Sequence, residues 1–268
     1  MAEQKLIPAP LSRVDLAAFD PEDTNGYDKK RAHAEMERLG TRLSELQEIL
    51  YAQGKYALLC VFQGMDTAGK DGVIKKVFDN VNPQGIKVAA FKVPTADELA
   101  RDFLWRVHAQ VPPKGYIGIF NRSHYEDVLV VRVNELVRKD VWSARYDHIN
   151  EFEKLLHENG TRIVKFYLHI SKSEQKERLQ ARLDDPSKHW KFSLGDLPVR
   201  ERWDDYMDAY ADAISRCNTE YAPWVIVPAN KKWYRDLVVT RTLVEIMEGM
   251  ALSYPTPKDD LTNIVIPD

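Results

Sequence analysis

Cysteine is scarce in this chain of 268 residues, which has only Cys60 and Cys217. Two thiols supply neither a disulfide framework nor a metal-ligand cluster, which fits a reducing compartment. Long apolar runs are also missing. The longest, Tyr56 to Phe62, falls far short of the roughly 20 residues needed to cross a bilayer. Nor does charge of one sign dominate, since 38 Lys and Arg face 41 Asp and Glu for a net charge of −3. That balance argues against a nucleic-acid coat protein or a polybasic membrane binder, so any anion site must be local. The opening MAEQKLIPAP has neither the basic patch nor the apolar stretch of a signal peptide. The expectation is a cytoplasmic protein with no nucleic-acid partner and no membrane association.

What is present is a regular alternation. At about 150 residues per domain, the length suits one large domain or two small ones. Residues 1–27 hold Pro8, Pro10, Pro21 and Gly26 and read as an extended arm. Leu39, Leu43, Leu46 and Leu50 recur at helical spacing, so Asp28 to Gln53 should form a helix with one apolar face, packed on its own domain or on a second subunit. Strands are expected at Tyr56 to Phe62, Ile86 to Val93, Tyr116 to Phe120, Ile163 to Ile170 and Trp224 to Val227. Helices should fill the intervals: Lys70 to Phe78, a stretch opened by a Thr95–Glu98 capping box and carrying Leu99, Phe103, Leu104 and Val107 on one side, Val141 to Glu158, Lys172 to Leu183, the segment of Trp203 to Ile214, and Tyr234 to Leu252. Strands alternating with helices imply a parallel five-stranded sheet covered on both faces, an α/β fold of three α/β/α layers. The expected divisions are an N-terminal arm and helix (1–54), an α/β body (55–255) with a charged helical lid at about 184–198 bearing Lys188, Trp190 and Lys191, and a tail (256–268).

Directly after the first strand comes Gly64-Met65-Asp66-Thr67-Ala68-Gly69-Lys70-Asp71-Gly72, which satisfies G-x-x-x-x-G-K in a strand–loop–helix context. Glycines let backbone N–H groups approach phosphate oxygens, the helix N-terminus adds partial positive charge, and Lys70 neutralises the group transferred. Gly64, Met65, Thr67, Ala68, Gly69 and Asp71 are therefore candidate substrate contacts. Asp71 stands where a Ser or Thr usually touches Mg²⁺, and Asp66 lies inside the loop instead. A carboxylate aimed into a phosphate cradle is repulsive unless a divalent cation intervenes, so Asp66 reads as a metal ligand or as a base near the acceptor. Lys75 and Lys76 are candidate phosphate contacts or simply a solvated helix face.

The third strand runs into Asn121-Arg122-Ser123-His124-Tyr125-Glu126-Asp127, where a second metal carboxylate is expected in such a fold. The first polar residue is Asn121, so that role rests on Asp66, on Asp127 or on Asn121 itself. Arg122 suits stabilisation of the transferring phosphoryl group, while His124 reads as a hydrogen-bonding support rather than a metal ligand. Arg178 and Arg182 share a helix face beside the lid and are candidates for gripping phosphates.

The stretches GMDTAGKDG, FNRSHYEDV, RLDDPSKHWKFSLGD, WDDY at Trp203 to Tyr206 and APWVIVPANKKWYR at Ala222 to Arg235 together resemble polyphosphate kinase family 2, from about Asp20 to Leu252. The resemblance implies a P-loop kinase fold and Mg²⁺-dependent phosphoryl transfer (Mn²⁺ being an alternative) between inorganic polyphosphate and adenine or guanine nucleotides. Carried over, the family's loop aspartate and lysine fall on Asp66 and Lys70, its strand-end arginine on Arg122 and its lid arginine on Arg182. Asn121 with Glu126-Asp127 resembles the branch acting on both nucleoside mono- and diphosphates, so AMP should give ADP and ADP should give ATP. The resemblance also implies a homo-oligomer, dimer or tetramer. Two rival readings are an ATP-dependent nucleoside monophosphate kinase and a non-catalytic nucleotide sensor.

Overall fold

The computed structural model describes residues 6–262 and 264–267. Residues 1–5 of the expected arm, and residues 263 and 268 of the expected tail, lie outside it. At its centre is a five-stranded parallel sheet in the order β2-β3-β1-β4-β5. The strands are β1 (Ala57–Gln63), β2 (Ile86–Ala90), β3 (Ile117–Asn121), β4 (Thr161–His169) and β5 (Trp224–Pro228). All of β1 and β5 and nearly all of β4 are buried, as strands covered on both faces must be. The edge strand β2 is shorter than the expected Ile86 to Val93, and Val88 on it is exposed.

The longer helices are α1 (Lys29–Gln53), α2 (Lys70–Val77), α3 (Lys139–Glu158), α4 (Lys172–Leu183), α5 (Trp203–Cys217) and α6 (Lys232–Glu248). On one side α6 packs against α1, α2 and β5, and on the other α3 packs against β4 and α5. The α1 leucines Leu39, Leu43, Leu46 and Leu50 are all buried. Packing on its own domain therefore accounts for the apolar face that could have met a second subunit. Asp28 caps α1 by accepting from the Arg31 amide, and left-handed Gly54 ends it.

The single helix expected after Thr95 is two isolated turns, Ala96–Leu99 and Trp105–His108. The capping box is there, with the Thr95 hydroxyl and the Glu98 carboxylate each accepting a backbone N–H. Asp102 then accepts from the Leu104 amide, a local side-chain turn that competes with helix continuation. Leu99 consequently points to solvent, while Val107 reaches the core. Similarly, α6 stops at Glu248 instead of continuing to Leu252, with Gly249 at its C-cap.

Because all five strands run the same way, the segments leaving β1 and β3 emerge at one end of the sheet. Ligands in such folds bind in the crevice beyond the carboxyl ends of the strands. The loop 64–69 and the turn 121–127 meet there.

Candidate active site

Gly64 to Gly69 turns the chain from buried β1 into α2, and the turn demands unusual backbone. Gly69 sits at φ +100°, and a Cβ there would lie 2.1 Å from Arg235 Nη1. Thr67 takes φ +67° although it is not glycine. The loop is braced by Arg178, whose guanidinium donates to the carbonyls of Thr67 (2.9 Å), Ala68 (3.1 Å), Ala229 (2.7 Å) and Asn230 (3.0 Å). Arg178 borders the cavity, but these bonds hold the cradle itself, in place of the phosphate grip expected of it.

Lys70, the first residue of α2, is 8% exposed, and its Nζ donates to Gly64 O at 2.7 Å and Met65 O at 3.2 Å. Burial, and secondly the charge of Arg122, draw its pKa down to about 8. The Oγ1 of Thr67 is buried without a hydrogen-bond partner, an unused polar atom in the cradle.

Arg122, at the end of β3, is also left-handed (φ +61°). Its Nη2 lies 2.5 Å from Asp66 Oδ1 and its Nη1 lies 3.3 Å from Glu126 Oε2. Burial works against the guanidinium charge, but Glu126 and Asp66 outweigh it and raise the pKa. Glu126 is held on its other oxygen by Gln63 Nε2 at 2.9 Å. Asn121 Nδ2 donates to Asp71 Oδ1 at 2.6 Å, joining the two segments once more.

These parts wall a cavity of about 630 Å³. Among the described residues nine Lys and Arg border it (Lys70, Lys92, Arg122, Arg178, Arg182, Lys188, Lys191, Lys232 and Arg235), against Asp66, Asp71 and Asp196. A chain of net charge −3 thus gathers a strongly cationic pocket over a helix N-terminus, an arrangement that attracts a polyanion. The segment 184–198 contributes Lys188, Trp190, Lys191 and Asp196 to the wall. Arg182 ties that segment down by donating to Lys191 O at 2.8 Å and lying 3.6 Å from Asp196.

Several sequence-derived candidates lie elsewhere. Asp127, expected as a metal carboxylate, accepts from Arg145 Nη1 at 3.1 Å and sits 3.9 Å from Arg106 Nη2, away from the cavity wall. Burial raises its pKa and the two arginines oppose the shift, so it is a paired structural carboxylate. Lys75 and Lys76 are exposed on α2 and do not border the cavity, which leaves the solvated-face reading. Gly64, Met65 and Ala68 shape the loop without lining the cavity, and Glu126 stands behind Arg122. His124 is fully buried against Glu153, a support as expected. Sequence reasoning passed over Lys92, Lys232 and Arg235 as wall residues, because each lies far along the chain from the loop. It also passed over Lys165, whose signal was a lysine inside an apolar strand.

A family model described as polyphosphate kinase 2 (PPK2) matches residues 26–255. An AMP/ADP-polyphosphate phosphotransferase of Meiothermus ruber is 56% identical over 259 residues, covering 96% of this chain and 97% of the relative. An ADP-polyphosphate phosphotransferase of Rhodopseudomonas palustris is 47% identical over 256 residues, 91% of this chain and 89% of the relative. A crystal structure of polyphosphate kinase 2 from Arthrobacter aurescens TC1 superposes with a TM-score of 0.92 at 48% identity, covering 96% of this chain and 92% of that one.

Proposed function

Since the chain belongs to the polyphosphate kinase 2 family and is a phosphotransferase that phosphorylates nucleotides from polyphosphate, we propose that its acceptors include both AMP and ADP, with Mg²⁺ or Mn²⁺ as counter-cation. The observation that carries this reading is the relative of 56% identity named for both AMP and ADP, and the cationic cavity over the Gly64–Lys70 loop gives the polyanionic donor its place. An acceptor phosphate oxygen is already ionised at neutral pH, so the protein needs little base catalysis and acts chiefly by positioning and neutralising charge. Lys70 and the loop amides would hold the donor end, and Arg122 would meet the charge developing on the transferring group. Arg182 and the lid lysines would close over the donor chain.

The residues present fit a hard cation. Asp66 offers a carboxylate at the cavity wall and Thr67 an unpartnered hydroxyl. Among the described residues no group of three His, Cys, Asp or Glu side chains could hold a metal unaided. Phosphate oxygens and water would supply the remaining ligands, as Mg²⁺ commonly requires. The ion supplies charge neutralisation when bound, and Asp66 would exchange its pairing with Arg122 for it.

The rival donor, ATP, gives way because relatives matching nearly the whole chain are named for polyphosphate, and the sensor reading gives way because the family is enzymatic. The same proposal extends the acceptors to guanine nucleotides, sets the enzyme in the cytoplasm and has it assemble as a dimer or tetramer. The two buried free thiols support the cytoplasmic setting, since a reducing compartment keeps thiols unpaired. Product analysis tests the acceptors directly. With polyphosphate and no ATP, AMP should yield ADP and then ATP, and GDP should yield GTP; ADP turnover without any AMP turnover would remove the monophosphate half. Asp66→Ala and Lys70→Ala should each abolish product without unfolding the protein.

A further inference from the structure

The turn that carries Arg122 and Glu126 is held from behind by charges remote from the cavity wall. Lys165 lies inside β4 between apolar neighbours and is completely buried. Its Nζ donates to Glu153 Oε2 at 2.5 Å, to the Tyr125 hydroxyl at 2.9 Å and to the Cys217 carbonyl at 2.7 Å. Glu153, reaching in from α3, accepts on Oε1 from the Tyr125 hydroxyl at 3.0 Å and faces His124 Nε2 at 3.1 Å. None of His124, Tyr125, Glu153 and Lys165 is more than 1% exposed.

An ion pair taken so far from water is a weak source of stability, because apolar residues of similar volume avoid its desolvation cost. What the cluster does provide is a fixed geometry. The three ammonium protons have three different acceptors, and both carboxylate oxygens are engaged. The residues so fixed, His124 and Tyr125, stand between Arg122 and Glu126. Arg122 itself has a left-handed backbone, a conformation costly for a non-glycine residue and kept only where the surroundings over-determine it.

We infer that Lys165, Glu153 and Tyr125 are positioning residues for phosphoryl transfer: they lock the 124–125 turn, and the turn sets Arg122 and the Glu126 carboxylate that steadies it. The inference rests on the reading of Arg122 given above. None of the three borders the substrate cavity, so their effect must pass through the arginine.

Two variants test this. Tyr125→Phe deletes one hydroxyl from the cluster, and Lys165→Met combined with Glu153→Gln removes both charges together without stranding either. Each is measured with polyphosphate and ADP, alone and in an Arg122→Ala background, with Tm recorded. The paired variant should lower kcat about tenfold and leave the KM for polyphosphate within about twofold, since only a transition-state contact is disturbed. Tyr125→Phe should lower kcat roughly threefold, and neither change should slow the Arg122→Ala enzyme further, itself about 100-fold down. Unchanged kcat in the cluster variants beside a slow Arg122→Ala enzyme overturns the inference alone. The same fold loss with and without Arg122 also overturns it. Normal turnover by Arg122→Ala overturns the reading of Arg122 and the inference together. Should the paired variant not fold, Tyr125→Phe decides by the same criteria.

Discussion

Lys70 holds its proton less tightly in the folded protein than in the unfolded chain, with a pKa of about 8 against the usual 10.5, because it is buried and lies near Arg122. The sign of the consequence differs for stability and for catalysis. Between about pH 8 and 10.5 the unfolded chain binds the extra proton, so the stability contributed by this residue rises with pH through that window. Over the same window the cradle loses a positive charge, and kcat/KM for polyphosphate should fall about tenfold per pH unit above pH 8. Urea titrations of the wild type and Lys70→Met, together with a pH–rate profile, separate the two effects. A wild-type profile flat to about pH 9.5 would count against the charge of Lys70 as the group required. The two candidate metal carboxylates can be told apart in the same way. Asp66→Asn should abolish transfer, whereas Asp127→Asn, which loosens an ion pair with Arg145 and Arg106, should cost about 3 kcal/mol of stability and leave the Mg²⁺ dependence unchanged. A shifted Mg²⁺ requirement in Asp127→Asn would return that residue to the site. The sequence showed both aspartates near phosphate-loop chemistry, but Asp127 is turned to Arg106 and Arg145, whose approach no local spacing reveals.

Among the elements, the Gly64–Lys70 loop is defined by its backbone. Gly69→Ala would place a Cβ 2.1 Å from Arg235 Nη1 at φ +100°, so Arg235 must retreat or the loop must shift. The expected outcome is a loss of about 100-fold in kcat/KM from misplacement of the cradle, with Tm lowered by a few degrees. An alanine variant of normal kcat/KM would show that the loop tolerates the displacement. The lid is bound differently, through Arg182 to Lys191 O and Asp196. Elements with strong local signals were legible in full. For α4 the expected Lys172 to Leu183 coincides with the helix observed, because Ser171 caps it through the Glu174 amide. The Thr95 box was equally plain, yet the helix beyond it failed at Asp102, where a side-chain turn and the lack of a core for Leu99 to enter prevailed. Thus the loop and the turn 121–127 could be read from their motifs. The far wall at Lys232 and Arg235 could not, because it arrives only when α6 packs beside α2.

At the scale of the whole molecule, two layers of helices clamp the sheet so that its carboxyl edge opens into one cationic cavity. The α1–α6 contact belongs to that clamp, and Leu43 on α1 is completely buried. Leu43→Ala should cost about 3 kcal/mol, lowering Tm by roughly 6–12 °C for a protein of this size. Its kcat at temperatures well below the transition should stay unchanged, and calorimetry beside a steady-state assay checks both. A large fall in kcat at full folding would mean that α1 reaches the site by a route other than packing. The overall charge and the local charge have opposite signs, and the donor must be drawn to one place on a surface that elsewhere repels it. That place can be observed directly. A crystal structure with a non-hydrolysable methylene-bridged polyphosphate should show the end of the chain on the Gly64–Lys70 loop, within hydrogen-bond reach of Lys70. An analogue bound anywhere else, with that loop left bare, would contradict the account.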